Sequence, residues 1–269
     1  IRIRLRDDRL CVTQAKRKVR MDASPGILLH GLFGTKIGNL DQVKHLGGDV
    51  HFQIGFDSLS KLRQISGLEN FPWLRSLKIH SHGLESLPGI EFCSHLLKIS
   101  FMGKGLKDLS FLADLSVKDL SVTWSDLEDL SPMENLPLTL LNISNNRVRD
   151  LTPLSNCPIK RLCLSHNPVR DLSPLSDCPI THLDISCTKV RSLEGIDTSR
   201  LKVLKVSHTL VGRLEWEALT SLHTLVISDP RSVYHGGVGP WLYRGVVPEG
   251  IDIALDCHNE NNIMIDRPW

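Results

Sequence analysis

Four residues of chemically useful type recur at one interval: His166, Cys187, His208 and Asp229, each 21 residues after the last. Imidazole, thiolate and carboxylate are all zinc-ligand groups. The same set also has the makings of a thiol nucleophile with an imidazole base and an orienting carboxylate. The spacing argues against both. Groups repeated at a fixed period form a row, whereas zinc asks for a tetrahedron and an enzyme asks for a closed pocket with oxyanion donors. No outer shell of supporting groups accompanies the four. The row is expected to be ordinary surface, with no metal, no catalytic residue and no cofactor. Two glycine-rich segments add nothing: Gly31–Gly38 lacks the G-x-x-x-x-G-K-[S/T] phosphate loop, and Gly236–Gly239 is too short for a dinucleotide fingerprint.

A repeat puts those residues in line. The pattern L-x-x-L-x-L occurs eight times, starting at Leu74, Leu96, Val117, Leu138, Ile159, Ile180, Leu201 and Leu222; the first step is 22 residues and the next six are 21. A period in this range marks a stack of supersecondary units. The fourth place runs from Leu77 to Leu225 and the sixth from Ile79 to Ile227, each alternating with polar neighbours, which is strand periodicity. One such strand cannot bury its apolar face, but parallel strands about 4.8 Å apart join these columns into one ridge. Three further apolar columns, Leu84 to Val211, Leu87 to Leu214 and Ile90 to Ile196, line the return path. Return segments such as DLSPMENLP (129–137), DLTPLSNCP (150–158) and DLSPLSDCP (171–179) favour short 3-10 or irregular turns, because Ser/Thr-Pro suits a turn and Pro opposes a long helix.

Other columns have simple roles. Thr123, Ser144, Ser165, Ser186, Ser207 and Ser228 occupy the seventh place, where a small residue suits a close-packed face. At the ninth place, Asn146, Asn167, Thr188 and Thr209 can satisfy backbone groups left unpaired where the chain turns. His82 and Lys104 in that column, and Glu217 in an apolar one, predict less regular ends.

The motif L-x-x-L-x-L-x-x-[N/T]-x-[L/V] followed by D-L-[S/T]-P-L resembles the leucine-rich repeat superfamily. Its short units resemble the internalin-like and SDS22-like branch, over residues 50–230. The resemblance implies an α/β solenoid: a right-handed leucine-rich repeat with a parallel β-sheet on the concave face and short 3-10 or irregular turns on the convex face. Three parts follow: an N-terminal basic hairpin and capping segment with a short helix near Asn39–Leu46 (1–49), an array of about nine units with the first degenerate at Val50–Phe56 (50–230), and an aromatic C-terminal cap with a last strand at Ile251–Leu255 (231–269). The cap carries Tyr234, Trp241, Tyr243 and Trp269.

Polar strand places all point to one side of a parallel stack, so the partner-binding face is expected to include Lys78, His80, Lys98, Met102, Trp124, Arg161, His166, His182, Lys205 and His208. Trp124, Met102 and Arg161 are the expected anchors, since interface centres favour aromatics, Met and Arg. Residues 1–20 hold Arg2, Arg4, Arg6, Arg9, Lys16, Arg17, Lys18 and Arg20 against Asp7 and Asp8, a net +6, while the remainder of the chain carries 24 basic and 28 acidic residues, a net −4. Such an arm attracts phosphate or acidic protein surfaces, or guards an exposed strand edge.

The seven Cys lack the cysteine clusters that cap extracellular proteins of the family it resembles; Cys157 and Cys178 share a column with Leu136 and suit apolar filler. A reducing intracellular compartment is expected. Starting at Ile1, the chain is expected to be a processed or truncated product. No run of about 18 apolar residues predicts a membrane span. The function expected is a non-enzymatic protein–protein interaction scaffold, a subunit of a larger assembly with no small-molecule substrate. The alternative is a structural subunit of a ribonucleoprotein whose basic arm contacts RNA phosphates. Sparse aromatics and the lack of a basic stripe along the array weigh against RNA.

Overall fold

The structure, a computed structural model, describes residues 68–228 except 81, 107 and 213, residues 250–256, and the backbone of four strands nearer the N-terminus. The helix expected near Asn39–Leu46, the basic residues Lys16, Arg17, Lys18 and Arg20, the aromatic tail residues and Asp229 lie outside the described residues.

One sheet runs the length of the molecule. Its strands are β1 (Arg2–Arg6), β2 (Arg9–Thr13), β3 (Leu28–Leu29), β4 (His51–Gly55), β5 (Ser76–His80), β6 (Lys98–Met102), β7 (Asp119–Thr123), β8 (Leu140–Asn142), β9 (Arg161–Cys163), β10 (His182–Asp184), β11 (Val203–Lys205), β12 (Thr224–Ser228) and β13 (Asp252–Asp256). From β3 to β13 each strand lies parallel beside its predecessor in chain order. Beyond β3 the order continues to β1, which pairs antiparallel with β2 in a register that runs from Arg2 beside Thr13 to Arg6 beside Arg9. Parallel crossovers between twisted strands close right-handed.

Register follows the repeat. Arg161 lies beside Leu140 on one side and His182 on the other, so every place in a unit stacks on the same place of its neighbour. Closing turns take two forms: Leu96, Leu201 and Leu222 N–H donate three residues back, to the Cys93, Thr198 and Leu219 carbonyls at 2.9, 3.2 and 3.1 Å, whereas Leu138, Ile159 and Ile180 N–H donate two residues back, to Leu136, Cys157 and Cys178 at 2.8 Å. The strand-column residues Leu77, Ile99, Leu120, Leu141, Leu162, Leu183, Leu204 and Leu225 are all buried and belong to one continuous apolar core. Full burial of each such side chain contributes about 1.5–3 kcal/mol. Cys93, Cys157 and Cys178 sit in the same core, and burial pushes the Cys93 thiol up to about 12 and the Cys178 thiol up to about 11. They remain protonated and behave as apolar filler.

The return side is made of single 3-10 turns, among them Ser131–Met133, Thr152–Leu154 and Ser173–Leu175, each with Pro near its start, where a missing N–H costs nothing. The Asp two residues earlier starts each turn. Asp129 Oδ1 accepts from the Ser131 N–H at 2.8 Å and its hydroxyl at 2.6 Å; Asp150 does the same with Thr152 at 2.9 and 2.6 Å. Asp108, Asp171 and Asp197 repeat the arrangement with Ser110, Ser173 and Ser199. Among the described residues no helix is long and apolar enough to cross a membrane.

Buried amides fasten coil to coil. Asn146 Oδ1 accepts from the Ser125 and Leu127 N–H groups of the preceding coil at 2.9 and 3.1 Å, while its Nδ2 donates to Val122 O at 2.7 Å and Ile143 O at 2.9 Å. Asn167 repeats this, accepting from Val148 N–H at 3.0 Å and donating to Ile143 O at 2.8 Å. Thr188 and Thr209 hydroxyls donate to the carbonyl three residues back in their own coil, Ile185 at 2.6 Å and Val206 at 2.9 Å, and Thr209 also accepts from the Val211 N–H of that coil at 3.5 Å. A glycine solves a different problem at Gly105, whose φ is +134° and where a Cβ would stand 2.5 Å from the Leu84 carbonyl oxygen.

Two outcomes are expected. Asn146→Ala strands several buried backbone groups and should lower unfolding free energy by about 3 kcal/mol or more, against about 1 kcal/mol for Thr188→Ala, measured by urea denaturation. Hydrogen bonds to Ser131, Thr152 and Ser173 hold the Asp129, Asp150 and Asp171 carboxyls below their ordinary 3.8 in the folded chain. Their stabilisation is therefore complete above that value and lost as pH falls through the lower folded-state values. The urea midpoint should drop below about pH 4, and the triple change Asp129→Asn, Asp150→Asn, Asp171→Asn should flatten that drop.

Candidate partner-binding face

The second, third, fifth, seventh and eighth places of each unit lie outside the core, along and beside the strands. Lys98, Trp124 and His166 are exposed there; Lys78, His80, Met102, Arg161, His182, Lys205 and His208 are half-buried. Trp124 keeps 48% of its surface accessible, which sets it apart from the other described large apolar side chains of this face. The basic arm is seen only as the backbone of β1 and β2, which carry Arg2, Arg4, Arg6 and Arg9.

The eighth column is a backbone device. Trp124, Asn145, His166, Cys187 and His208 all have φ between 53° and 58°, the left-handed region that disfavours residues with a Cβ. Their N–H groups extend the sheet ladder one step past the strand: Asn145 to Ser165 O at 2.9 Å, His166 to Ser186 O at 2.9 Å and Cys187 to Ser207 O at 2.8 Å. The left-handed residue then turns the chain away from the face. Seventh-column side chains beneath it are confined, with Thr123, Ser144, Ser186 and Ser207 all buried. Among the described residues no group of three or more His, Cys, Asp or Glu is placed to hold a metal ion.

Place three to place five is polar and locally tied. Asn142 Oδ1 accepts from Ser144 N–H at 3.0 Å, and Asp184 Oδ1 accepts from Ser186 N–H at 3.0 Å. Cys163, between them on β9, is buried, and desolvation followed by the Asp184 charge raises its thiol to about 12.

Acids are scarce on the strand face. Arg75, Lys78, Lys98, Lys118, Lys160, Arg161, Lys202 and Lys205 stand on the strand face or its entry edge, with His80, His182, His208 and His223. From Leu74 to Ser228 the acids at these places are Asp119 and Asp184, and both are occupied: Lys98 Nζ lies 2.7 Å from Asp119, and Lys205 Nζ lies 3.8 Å from Asp184. The return side is rich in acids, including Glu91, Asp108, Asp114, Asp129, Glu134, Asp150, Asp171 and Asp177. The basic stripe that the strand columns lack is supplied by the second place, directly before each strand: Arg75, Lys118, Lys160, Lys202 and His223. Writing out that column would have revealed it. His182 registers the resulting field, since burial and then the charges of Arg161 and Lys202 lower its pKa.

A cavity of about 320 Å3 lies on the return side, among Leu193, Ile196, Thr198, Leu214 and Leu219. It is distant in sequence place from the strand columns and carries no cluster of reactive groups.

No sequence-family model and no curated protein sequence matches the chain. Solved structures do. An internalin C2 from Listeria monocytogenes aligns with a TM-score of 0.53 at 19% identity, covering 61% of this chain and 75% of that one. The internalin InlF from the same organism aligns with a TM-score of 0.54 at 19% identity, over 76% of this chain and 64% of that one. The fold is a leucine-rich repeat solenoid. The chain thus spans less than two thirds of InlF, and the likeness extends to architecture.

The left-handed column has a measurable consequence. Cys187→Gly should be neutral or stabilising by up to about 1 kcal/mol, since glycine adopts this φ without a Cβ clash. Cys187→Val should destabilise by about 1–2 kcal/mol, because a β-branched side chain fits this region worst. Thermal or urea unfolding distinguishes the two.

Proposed function

We propose that this chain is a non-enzymatic protein–protein interaction scaffold, acting as a subunit of a larger assembly through its strand face. The observation that carries this is Trp124, an aromatic held half-exposed by a left-handed backbone and hydrogen-bonded into the sheet ladder. A large side chain on a rigid support loses little freedom on binding, the condition for an interface anchor. Met102 and Arg161 flank it on the same face, one and two coils away. Solenoids bind extended surfaces in this way. A reducing compartment belongs to the same proposal, supported by the buried free thiols Cys93, Cys157, Cys163 and Cys178. The ribonucleoprotein alternative rests on the arm at residues 1–20, whose side chains are not among those described.

Quantitative pull-down from the native source, with crosslinking mass spectrometry, tests the scaffold role. Trp124→Ala with Arg161→Glu should reduce recovery of specific partners about thirtyfold or more, the effect of losing one strong anchor. Crosslinks should fall on β5–β12. Unchanged recovery from a folded double variant would show that the strand face is not the binding surface.

A further inference from the structure

The second-place column is the strongest feature left unused by the anchors. Lys118, Lys160 and Lys202 are exposed and alternate with Thr139 and Thr181. Both threonine hydroxyls turn inward, to the carbonyls of Lys118 at 3.3 Å and Lys160 at 3.0 Å, so they lie low between the lysines. None of the three lysines is within ion-pair distance of a carboxylate among the described residues, because Asp119 and Asp184 already hold Lys98 and Lys205. Two coils separate successive lysines, about 9.6 Å at the parallel-strand spacing.

We propose that this edge, Lys118–Lys160–Lys202, holds an extended acidic segment of the partner protein lying across the coils. The inference rests on the scaffold role proposed above and adds the chemistry of the ligand. A carboxylate at every third residue of a polyproline-type chain, with three residues per turn, recurs on one side about every 9.3 Å and meets each lysine in turn. Arg161, at the third place of the same coil as Lys160, adds positive charge beside that lysine. The occupant is a polypeptide and not a nucleic acid because no Phe, Tyr or Trp stands at the second place from Arg75 to His223 to stack bases.

The test uses the full chain and fluorescence anisotropy. The probe is a labelled fifteen-residue peptide with Glu at every third position and neutral residues between. The comparison probes are its Lys counterpart and an oligouridylate of equal charge. The Glu peptide should bind, and binding should weaken with salt. Lys118→Glu, Lys160→Glu, Lys202→Glu should weaken it about tenfold, since each exposed pair is worth about a factor of two and reversal adds repulsion. An equal charge change elsewhere, Arg149→Glu, Arg170→Glu, Arg191→Glu, should alter it less than about twofold. Lys→Gln at the same three sites should give an intermediate loss and guards against a folding defect in the reversal variant.

The proposal is overturned if the Glu peptide does not bind at low salt. Equal losses in the two reversal variants also overturn it, as does tighter oligouridylate binding that depends on the three lysines. Salt-sensitive self-association lost in the lysine variant would assign the edge to a second copy of the chain and overturn it too. Partner recovery that depends on Trp124 but not on the lysines would leave the scaffold role standing and remove the acidic segment.

Discussion

Everything in this fold depends on each coil returning the chain to the register of the coil before it. A parallel sheet whose described array strands are joined by single 3-10 turns tolerates no drift, because a shift of one residue would exchange core and surface places on every strand. The apolar columns supply the driving force, but they do not by themselves close a coil in 21 residues. Closure comes from polar groups at the bends. The Asp129, Asp150 and Asp171 carboxylates start the 3-10 turns, and the left-handed residues end the strands while keeping their N–H groups in the ladder. Two-residue and three-residue closing turns both return the chain to the same register.

Neighbouring coils are held together unevenly. Asn146 and Asn167 reach across to the preceding coil, whereas Thr188 and Thr209 satisfy only their own. The middle of the array therefore has cross-coil hydrogen bonds buried from water, where such bonds are strongest. Towards residue 209 the stack relies more on apolar contact. The ninth column was legible in the sequence as backbone support. The difference in reach between an amide and a hydroxyl became visible only once the distances between coils were known.

This framework also sorts the surface. Core columns and bend columns are committed, so variation is confined to a few places per unit. The strand places and their entry edge carry cations with few acids, whereas the return path carries both signs. Trp124, Arg161 and the lysine edge thus share one rigid support, so a partner of the proposed kind would meet an aromatic, a guanidinium and a spaced row of ammonium groups without ordering a loop first.

The sequence alone determined the solenoid, its parallel sheet, its short turns and nearly all of its core, because a fixed period converts residue number directly into column. It also exposed the His166–Cys187–His208 row and supplied the geometric objection to a metal there. Tertiary structure decided what that row is: a line of left-handed backbone positions, a property of φ that residue type does not reveal when His, Cys, Asn and Trp all occupy it. It decided the work of the Asp column, where spacing indicated a turn but only the bend brings the carboxylate to the N–H two residues on. It also decided that the second place of each unit lies at the entry edge of the strand face, since that depends on how the chain enters each strand and not on the period that places it in line.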